Sequence, residues 1–369
     1  MPHHSEPDED ALDTSPPPQP VFHAEQALLG ALLLEPHRLG EVTGIAPDSF
    51  STAAHAALFT AISTTPQPNS AEHAKNTRWL DHVLATGREQ ARGLTATYLY
   101  ALVQACPWPR HALAYARMVE AEHARRRLRA AAEHLVQTVH DVSLPHPVQT
   151  VLAEADALIA VVDEIAARFP PRTGVMPRTP PPATAIAPDY TEAIEEEQLL
   201  LASATAHPAD IESVRWLVPE DFTQPLHAGL WQCLTALARR HEPVDPVTVL
   251  WAAQQHSLID SSSEPGAVLR LLAEPAGSVE HWGERTLRRA LLATANHTGR
   301  HITAYADDPA NTPFQLVVGA RRSLADIGAV RTRWQHATGQ IPPQRPQPAP
   351  TIRAGPPTTT AARATRAIR

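Results

Sequence analysis

Glu25-Gln26-Ala27-Leu28-Leu29-Gly30 recurs 172 residues later as Glu197-Gln198-Leu199-Leu200-Leu201-Ala202, and the match runs without a gap from Glu25–Ile62 onto Glu197–Leu234. Eleven of these 38 positions are identical, among them Pro36/Pro208, Val42/Val214, Pro47/Pro219, Phe50/Phe222, His55/His227 and Leu58/Leu230. Ile45/Leu217, Phe59/Trp231 and Ile62/Leu234 keep their apolar character. Chance in an Ala-rich chain gives scattered matches, not an apolar pattern in phase over two helices. The chain therefore reads as two copies of one unit.

Each copy reads as helix. Ala24, Leu28, Leu32 and Leu33 recur at helical spacing, with Leu29 beside them, and Pro36 ends or bends that helix. A short helix over Leu39–Thr43 and a turn at Pro47-Asp48-Ser49-Phe50 follow. Ser51 is the expected N-cap of a helix carrying Ala54, Leu58, Phe59 and Ile62, with Thr223 in its place in copy two and Pro225 in the first turn. Farther on, Arg110–His140 has no Pro or Gly and carries Met118, Ala121, Ala124, Leu128, Ala131, Leu135 and Val139, a narrow apolar seam. Val148–Phe169 returns with Val151, Leu152, Ala155, Leu158, Ile159, Val162 and Ile165. Val279–Ala306 and Thr312–Trp334 repeat that hairpin. The expected fold is all-α: two tandem helical domains, each a small helical head followed by a long antiparallel hairpin. Period-two alternation is scarce and aromatic residues are only 5%, so strands are not expected.

Proline marks the boundaries. Twenty of the 37 prolines fall in Met1–Pro20, Pro170–Pro188 and Ile341–Pro357, stretches that cannot form regular helix. The expected division is a disordered acidic tail over 1–20, copy one over 21–169, a Pro-rich linker over 170–190, copy two over 191–336 and a disordered basic tail over 337–369. The first tail holds Glu6, Asp8, Glu9, Asp10 and Asp13; the last holds Arg345, Arg353, Arg363, Arg366 and Arg369 and no acid. These charges cancel, so the body retains the net −8 of the whole chain. An acidic body argues against broad nucleic-acid binding, although the basic tail offers a weak, salt-sensitive DNA contact.

Several function classes fall away. A P-loop needs a lysine after a glycine-rich turn, and the chain's one lysine, Lys75, has no glycine near it. No apolar run is long enough for a membrane span, and the first residues are acidic and Pro-rich, unlike a secretory signal. Two cysteines, Cys106 and Cys233, fit buried thiols in a cytoplasmic protein. The twenty histidines include no zinc-type spacing, so no metal and no cofactor are expected. No nucleophile–base arrangement stands out, and no catalytic residue is assigned.

Ala24-Glu25-Gln26-Ala27-Leu28-Leu29-Gly30-Ala31-Leu32-Leu33 resembles the opening A-E-x-x-x-L-G-x-L-L of the N-terminal domain of DnaB-type replicative DNA helicases. Asp48-Ser49-Phe50 to His55 and Leu58-Phe59, with Asp221-Phe222 to His227 and Leu230-Trp231, resembles the family's next helix. Copy two also has a family-like Pro243-Val244-Asp245-Pro246-Val247-Thr248-Val249. Copy one has the polar Pro66–Lys75 there, and Ala202 stands where copy one has Gly30. The resemblance implies the collar part of the helicase, which self-associates through its hairpins, docks primase and loading factors, and neither hydrolyses ATP nor unwinds DNA alone. The implied function is a non-catalytic DNA-replication (primosome) accessory protein that binds a replicative helicase, primase or helicase loader. The alternative is a DNA-binding regulatory protein that uses the basic C-terminal tail.

The candidate interaction surface is Arg125, Arg126, Arg127 and Arg129 on the outgoing helix of copy one, with Arg288 and Arg289 in copy two. The plainer reading of the first four is a solvated helix face paired with Glu154, Asp156, Asp163 and Glu164 of the return helix. His55 and His227 read as packed or capping residues, and Glu25 and Glu197 as helix-dipole residues. Because both copies share one chain, the hairpins are expected to pack as an intramolecular pseudo-dimer, with Leu128, Leu135 and Val139 against Leu287 and Leu291. Three chains would then carry six heads.

Overall fold

The computed structural model describes residues 19–170, 177–178, 191–259 and 264–339, and among these there is no strand. The acidic tail, nearly all of the linker and nearly all of the basic tail expected from proline lie outside the described residues.

Copy one runs α1 (Pro20–Leu34), α2 (Ala53–Thr64), α3 (Ser70–His73), α4 (Arg78–Gln90), α5 (Ala96–Ala105), α6 (Ala112–His140) and α7 (Pro147–Arg168). Copy two runs α8 (Thr191–Ala206), α9 (Pro225–Arg239), α10 (Pro246–Gln255), α11 (Pro265–Ala273), α12 (Val279–Asp307) and α13 (Pro313–Ala337). Proline opens many of these helices at the first position, where its missing N–H is harmless. Between α1 and α2, as between α8 and α9, two 3₁₀ turns replace the expected short α-helix: Pro36–Glu41 and Pro47–Ser49, then Pro208–Val214 and Pro219–Asp221.

In each head the first helix is the hub. α1 buries Glu25 and every residue from Ala27 to Leu33, so it is enclosed all round rather than amphipathic. It packs on α2, α5 and α6. Its approach to α5 is close: a Cβ on Gly30 would stand 2.1 Å from the Leu102 carbonyl oxygen. α8 plays the same part in copy two and packs on α9, α11 and α12.

The hairpins pack on each other as a four-helix bundle. α6 lies antiparallel to α12: Arg129 meets Asp307 at 2.9 Å, Ala132 and Val136 close on Gly299, and His140 reaches Asn296 at 3.2 Å. α7 lies antiparallel to α13, with Arg321 on Asp163 at 2.8 Å and Arg331 on Asp156 at 2.5 Å. Leu128 and Leu135 share one core with Ala295, Ile302, Leu158 and Leu324, and that core continues into the head of copy two. The head of copy one has its own core around Leu28, Leu32, Phe59 and Leu102.

This register corrects the expected seam. Leu287 and Leu291 are buried in the same core, but they precede Asn296, which His140 at the end of α6 meets, so in sequence they fall beyond the stretch of α12 that runs along α6. Small residues, Ala295 and Gly299, meet α6 instead and let the helix backbones approach. Met118, expected in the seam, is exposed, and Ala132 rather than Ala131 is fully buried.

Candidate functional site

Each head holds one buried Glu–His pair, built by the repeated residues. Glu25 lies in the second turn of α1, and its fully buried carboxylate points at the start of α2. Oε1 accepts the Ser51 N–H at 2.7 Å, and Oε2 accepts the Ser51 hydroxyl at 2.9 Å and meets His55 Nδ1 at 2.6 Å. On the other side of the ring, His55 Nε2 meets the Tyr98 hydroxyl from α5 at 2.7 Å. A carboxylate only accepts, so the pair places the proton on Nδ1 and leaves Nε2 to accept from Tyr98. Burial, and then the Glu25 charge, push the Tyr98 phenol above its ordinary value, which keeps it a donor.

Copy two repeats the pair with a different third partner. Glu197 accepts the Thr223 N–H at 2.7 Å and meets His227 Nδ1 at 2.7 Å. Arg289 on α12 donates to Glu197 at 3.1 Å and also binds Glu196. Burial drives the Glu197 carboxyl upward, but the bonds from His227 and Thr223 outweigh it and leave it below its ordinary value.

Two expectations are corrected here. Glu25 and Glu197 lie beyond the first turns of their helices, so the dipole does not explain them; they tie the first helix to the main chain of the residue just before the N-cap of the next. Ser51 and Thr223 are not caps but donors to those carboxylates; Thr52 caps α2, and Gln224 precedes α9 without a side-chain cap. His55 and His227 are packed residues. With both members of each pair buried, no solute reaches them, and the arrangement locks the head rather than performing chemistry. The tie to Tyr98 has no signature in the helical spacing.

The candidate arginines are spread over different tasks. Arg125 donates to main-chain carbonyls of Ala306, Asp308, Pro309 and Asn311, at the end of α12. Arg126 donates to the Ser49 carbonyl at 2.8 Å and ties α6 to the head. Arg127 pairs with Glu164 at 2.5 Å, and Arg129 pairs with Glu133 and Asp307. Of the expected return-helix partners, Asp156 and Asp163 pair with α13 and Glu154 with His134. Arg289 joins the Glu196–Glu197 network, and Arg288 is exposed. The structure thus does not gather these six into one surface.

A residue outside the candidate set proves central. Buried Asn311, in the turn after α12, donates from Nδ2 to the Tyr305 carbonyl at 3.0 Å and accepts the Arg178 N–H on Oδ1 at 2.9 Å. Its own carbonyl takes Arg125. One side chain therefore joins the linker to the tip of copy two's hairpin. A groove of about 1070 Å³ also runs along copy two's head, lined by Ile211, Arg215, Val218, Trp231, Thr235 and Val244. Among the described residues, no group of three or more His, Cys, Asp or Glu is placed to hold a metal.

Residues 17–121 and 190–284 each match the DnaB-like helicase N terminal domain, together more than half of the chain. The chain belongs to that family. Its two matched segments start with the hub helices and extend into the first turns of α6 and α12, so both buried Glu–His pairs fall within them. The match is to the N-terminal domain of the DnaB-like helicases and not to their ATPase domain. None of the curated proteins matches the chain. No helix among the described residues is long and apolar enough to cross a membrane.

Proposed function

We propose that this chain is a non-catalytic accessory protein of DNA replication, a double collar domain that docks a replicative helicase, primase or helicase loader. The observation that carries the reading is the pairing of two DnaB-like N-terminal domains through their hairpins within one chain. In this reading the chain supplies a ready-made pair of heads and no motor, working in the cytoplasm as copy one over 21–169 and copy two over 191–336. Three such chains would present six heads.

The test is binding of the full chain, immobilised, to the purified replicative helicase, primase and loader of its host. Saturable micromolar binding to one of them is expected, with no ATP turnover by the chain alone. Binding to none of the three, or turnover above a buffer control, overturns the reading. Salt-sensitive DNA binding lost on removal of residues 337–369 would instead favour the DNA-binding alternative, for which the five unopposed arginines of that tail speak.

A further inference from the structure

Each hairpin ends against its own head. At the end of α7, Arg168 donates to the Gly44 carbonyl at 3.0 Å. Near the end of α13, Arg333 donates to the Trp216 carbonyl at 3.5 Å and pairs with the Asp221 carboxylate. Gly44 and Trp216 are matching residues, 172 apart. The fold therefore delivers the chain leaving each hairpin to the same place on its head. In copy two that place borders the groove of about 1070 Å³: Leu217, Val218 and Pro219, between Arg333's two partners in sequence, line it, together with Ile211, Trp231 and Val244.

The described residues of copy two end at Gly339, two residues past α13. After Gln340 comes Ile341-Pro342-Pro343-Gln344-Arg345-Pro346-Gln347-Pro348-Ala349-Pro350, with five prolines and a single charge. Such a sequence favours polyproline II, which loses little entropy when it seats in an apolar groove. At three residues per turn, Pro343 and Pro346 share a face. Glu212 and Glu242 on the groove wall offer carboxylates to Arg345; their own pairs with Arg215 and Arg240 are exposed and weak. A link this short holds the segment at roughly millimolar effective concentration, so a weak site suffices to capture it.

The chain's other proline-rich stretches do not compete. His140 at the end of α6 meets Asn296; from that level it is about 42 Å back to Ala112 and about 25 Å on to Val279, so the heads stand at opposite ends of the bundle. Pro16, Pro17 and Pro18 adjoin α1, in the far head. The linker is needed for its own path. Arg178 is fixed to Asn311 by the hairpin tip, and Glu192 meets Arg285, about 33 Å back along α12 from Asp307. That span takes most of the about 40 Å that residues 179–191 reach as polyproline II.

We propose that the groove of copy two is a binding site for a polyproline II segment and that its occupant is the chain's own residues 341–350. The proposal stands apart from the docking function above and holds whether or not a helicase, primase or loader binds.

Disulfide trapping in the full chain tests it. Cys106 and Cys233 are buried, and burial pushes both thiols up, so they stay inert. Gln344→Cys is combined either with Gln232→Cys, on the groove wall, or with Glu280→Cys, at the start of α12 beside the end of the antiparallel α13 and off the groove. In oxidised glutathione the first pair should close within one chain roughly tenfold faster than the second, because the groove concentrates the segment at its wall. Pro342→Ser/Pro343→Ser/Pro346→Ser should erase that difference. The difference should survive about 1 M salt, which screens exposed ion pairs. Gln232 and Glu280 are exposed, and circular dichroism checks that the variants fold. Equal rates for the two pairs, closure of neither, or a difference untouched by the serine replacements overturns the proposal. So does a difference that salt removes, which would make charge rather than the groove the holder. A groove disulfide formed mainly between chains would give the groove to a second copy's tail and likewise overturn it.

Discussion

Arg125 donates from Nη2 to the main-chain carbonyl of Asn311 at 2.5 Å, so a side chain of copy one closes the hairpin turn of copy two. Its Nη1 reaches the carbonyls of Ala306 at 3.1 Å and Asp308 at 2.7 Å. These acceptors lie at the C-terminal end of α12, where carbonyls lack helical partners and the dipole is negative. Arg125→Ala should lower unfolding free energy by about 2–3 kcal/mol, the scale for hydrogen bonds to a charged group. Arg125→Lys should not restore it, because an ammonium cannot span the carbonyls as the planar fork does. Urea denaturation of the three proteins measures both; a loss within error for the alanine variant contradicts the assignment.

Glu25 and His55 sit in one buried unit with Ser51 and Tyr98. Removing the carboxylate leaves the Nδ1 side of the His55 ring and the Ser51 N–H without a partner in a closed core. Glu25→Ala should cost about 3–5 kcal/mol. A double-mutant cycle with His55→Ala should show strong coupling, since the two changes remove one interaction. Additive losses would mean that each residue acts through other neighbours.

The helices and their pairing into heads and hairpins were legible because apolar spacing marks which face of a helix is buried. Spacing does not say which helix meets that face. Leu128 and Leu135 were readable as seam residues, but their opposition to the Ala295–Gly299 side of α12 depends on backbone approach, which small residues permit and no period encodes. The arginine run at 125–129 looked like one surface because neighbours in sequence were taken together. Arg125 and Arg129, one turn apart, share a face and both reach the end of α12, while Arg126 turns to the head and Arg127 to Glu164; the targets of Arg125 and Arg126 are carbonyls, which carry no sequence signature. The Glu–His pairs were visible only as identities between copies; that the residues touch follows from the turn that brings α2 back across α1.

Gly30 and Ala202 occupy matching positions with different room. A Cβ at Gly30 would meet the Leu102 carbonyl oxygen at 2.1 Å and Cys106 Cβ at 2.9 Å, whereas Ala202 is already accommodated and buried. Gly30→Ala should destabilise by about 3 kcal/mol through forced separation of α1 and α5, despite alanine's better helix propensity. Ala202→Gly should cost only about 1 kcal/mol. Thermal denaturation of the pair decides it; equal effects would show that α1 and α5 can part freely.

The lowered Glu197 carboxyl predicts a pH dependence. A group held below its unfolded value adds stability above that value and loses it as the pH falls through the folded one. Stability should therefore decline on acidification below the ordinary carboxyl value of 4.5. Glu197→Gln should be less stable at neutral pH and show a shallower acid decline. Denaturant midpoints across the acid range test this, and an unchanged slope in the variant would remove Glu197 as a cause.

The hairpin pairing is held by close packing rather than by its visible ion pairs. Asp163 and Arg321 are both about half exposed, so water and salt screen them. Arg321→Ala should cost less than about 1 kcal/mol. At Gly299, by contrast, a Cβ would lie 2.6 Å from Val136 Cγ2 and 3.0 Å from the Ala132 carbonyl oxygen. The carbonyl belongs to backbone and cannot rotate away. Gly299→Leu must push α12 off α6 and should cost about 3 kcal/mol or more, with a measurable expansion of the chain in small-angle scattering. A silent Gly299→Leu beside a damaging Arg321→Ala would reverse this order and make charge, not approach of the backbones, the force that joins the two copies.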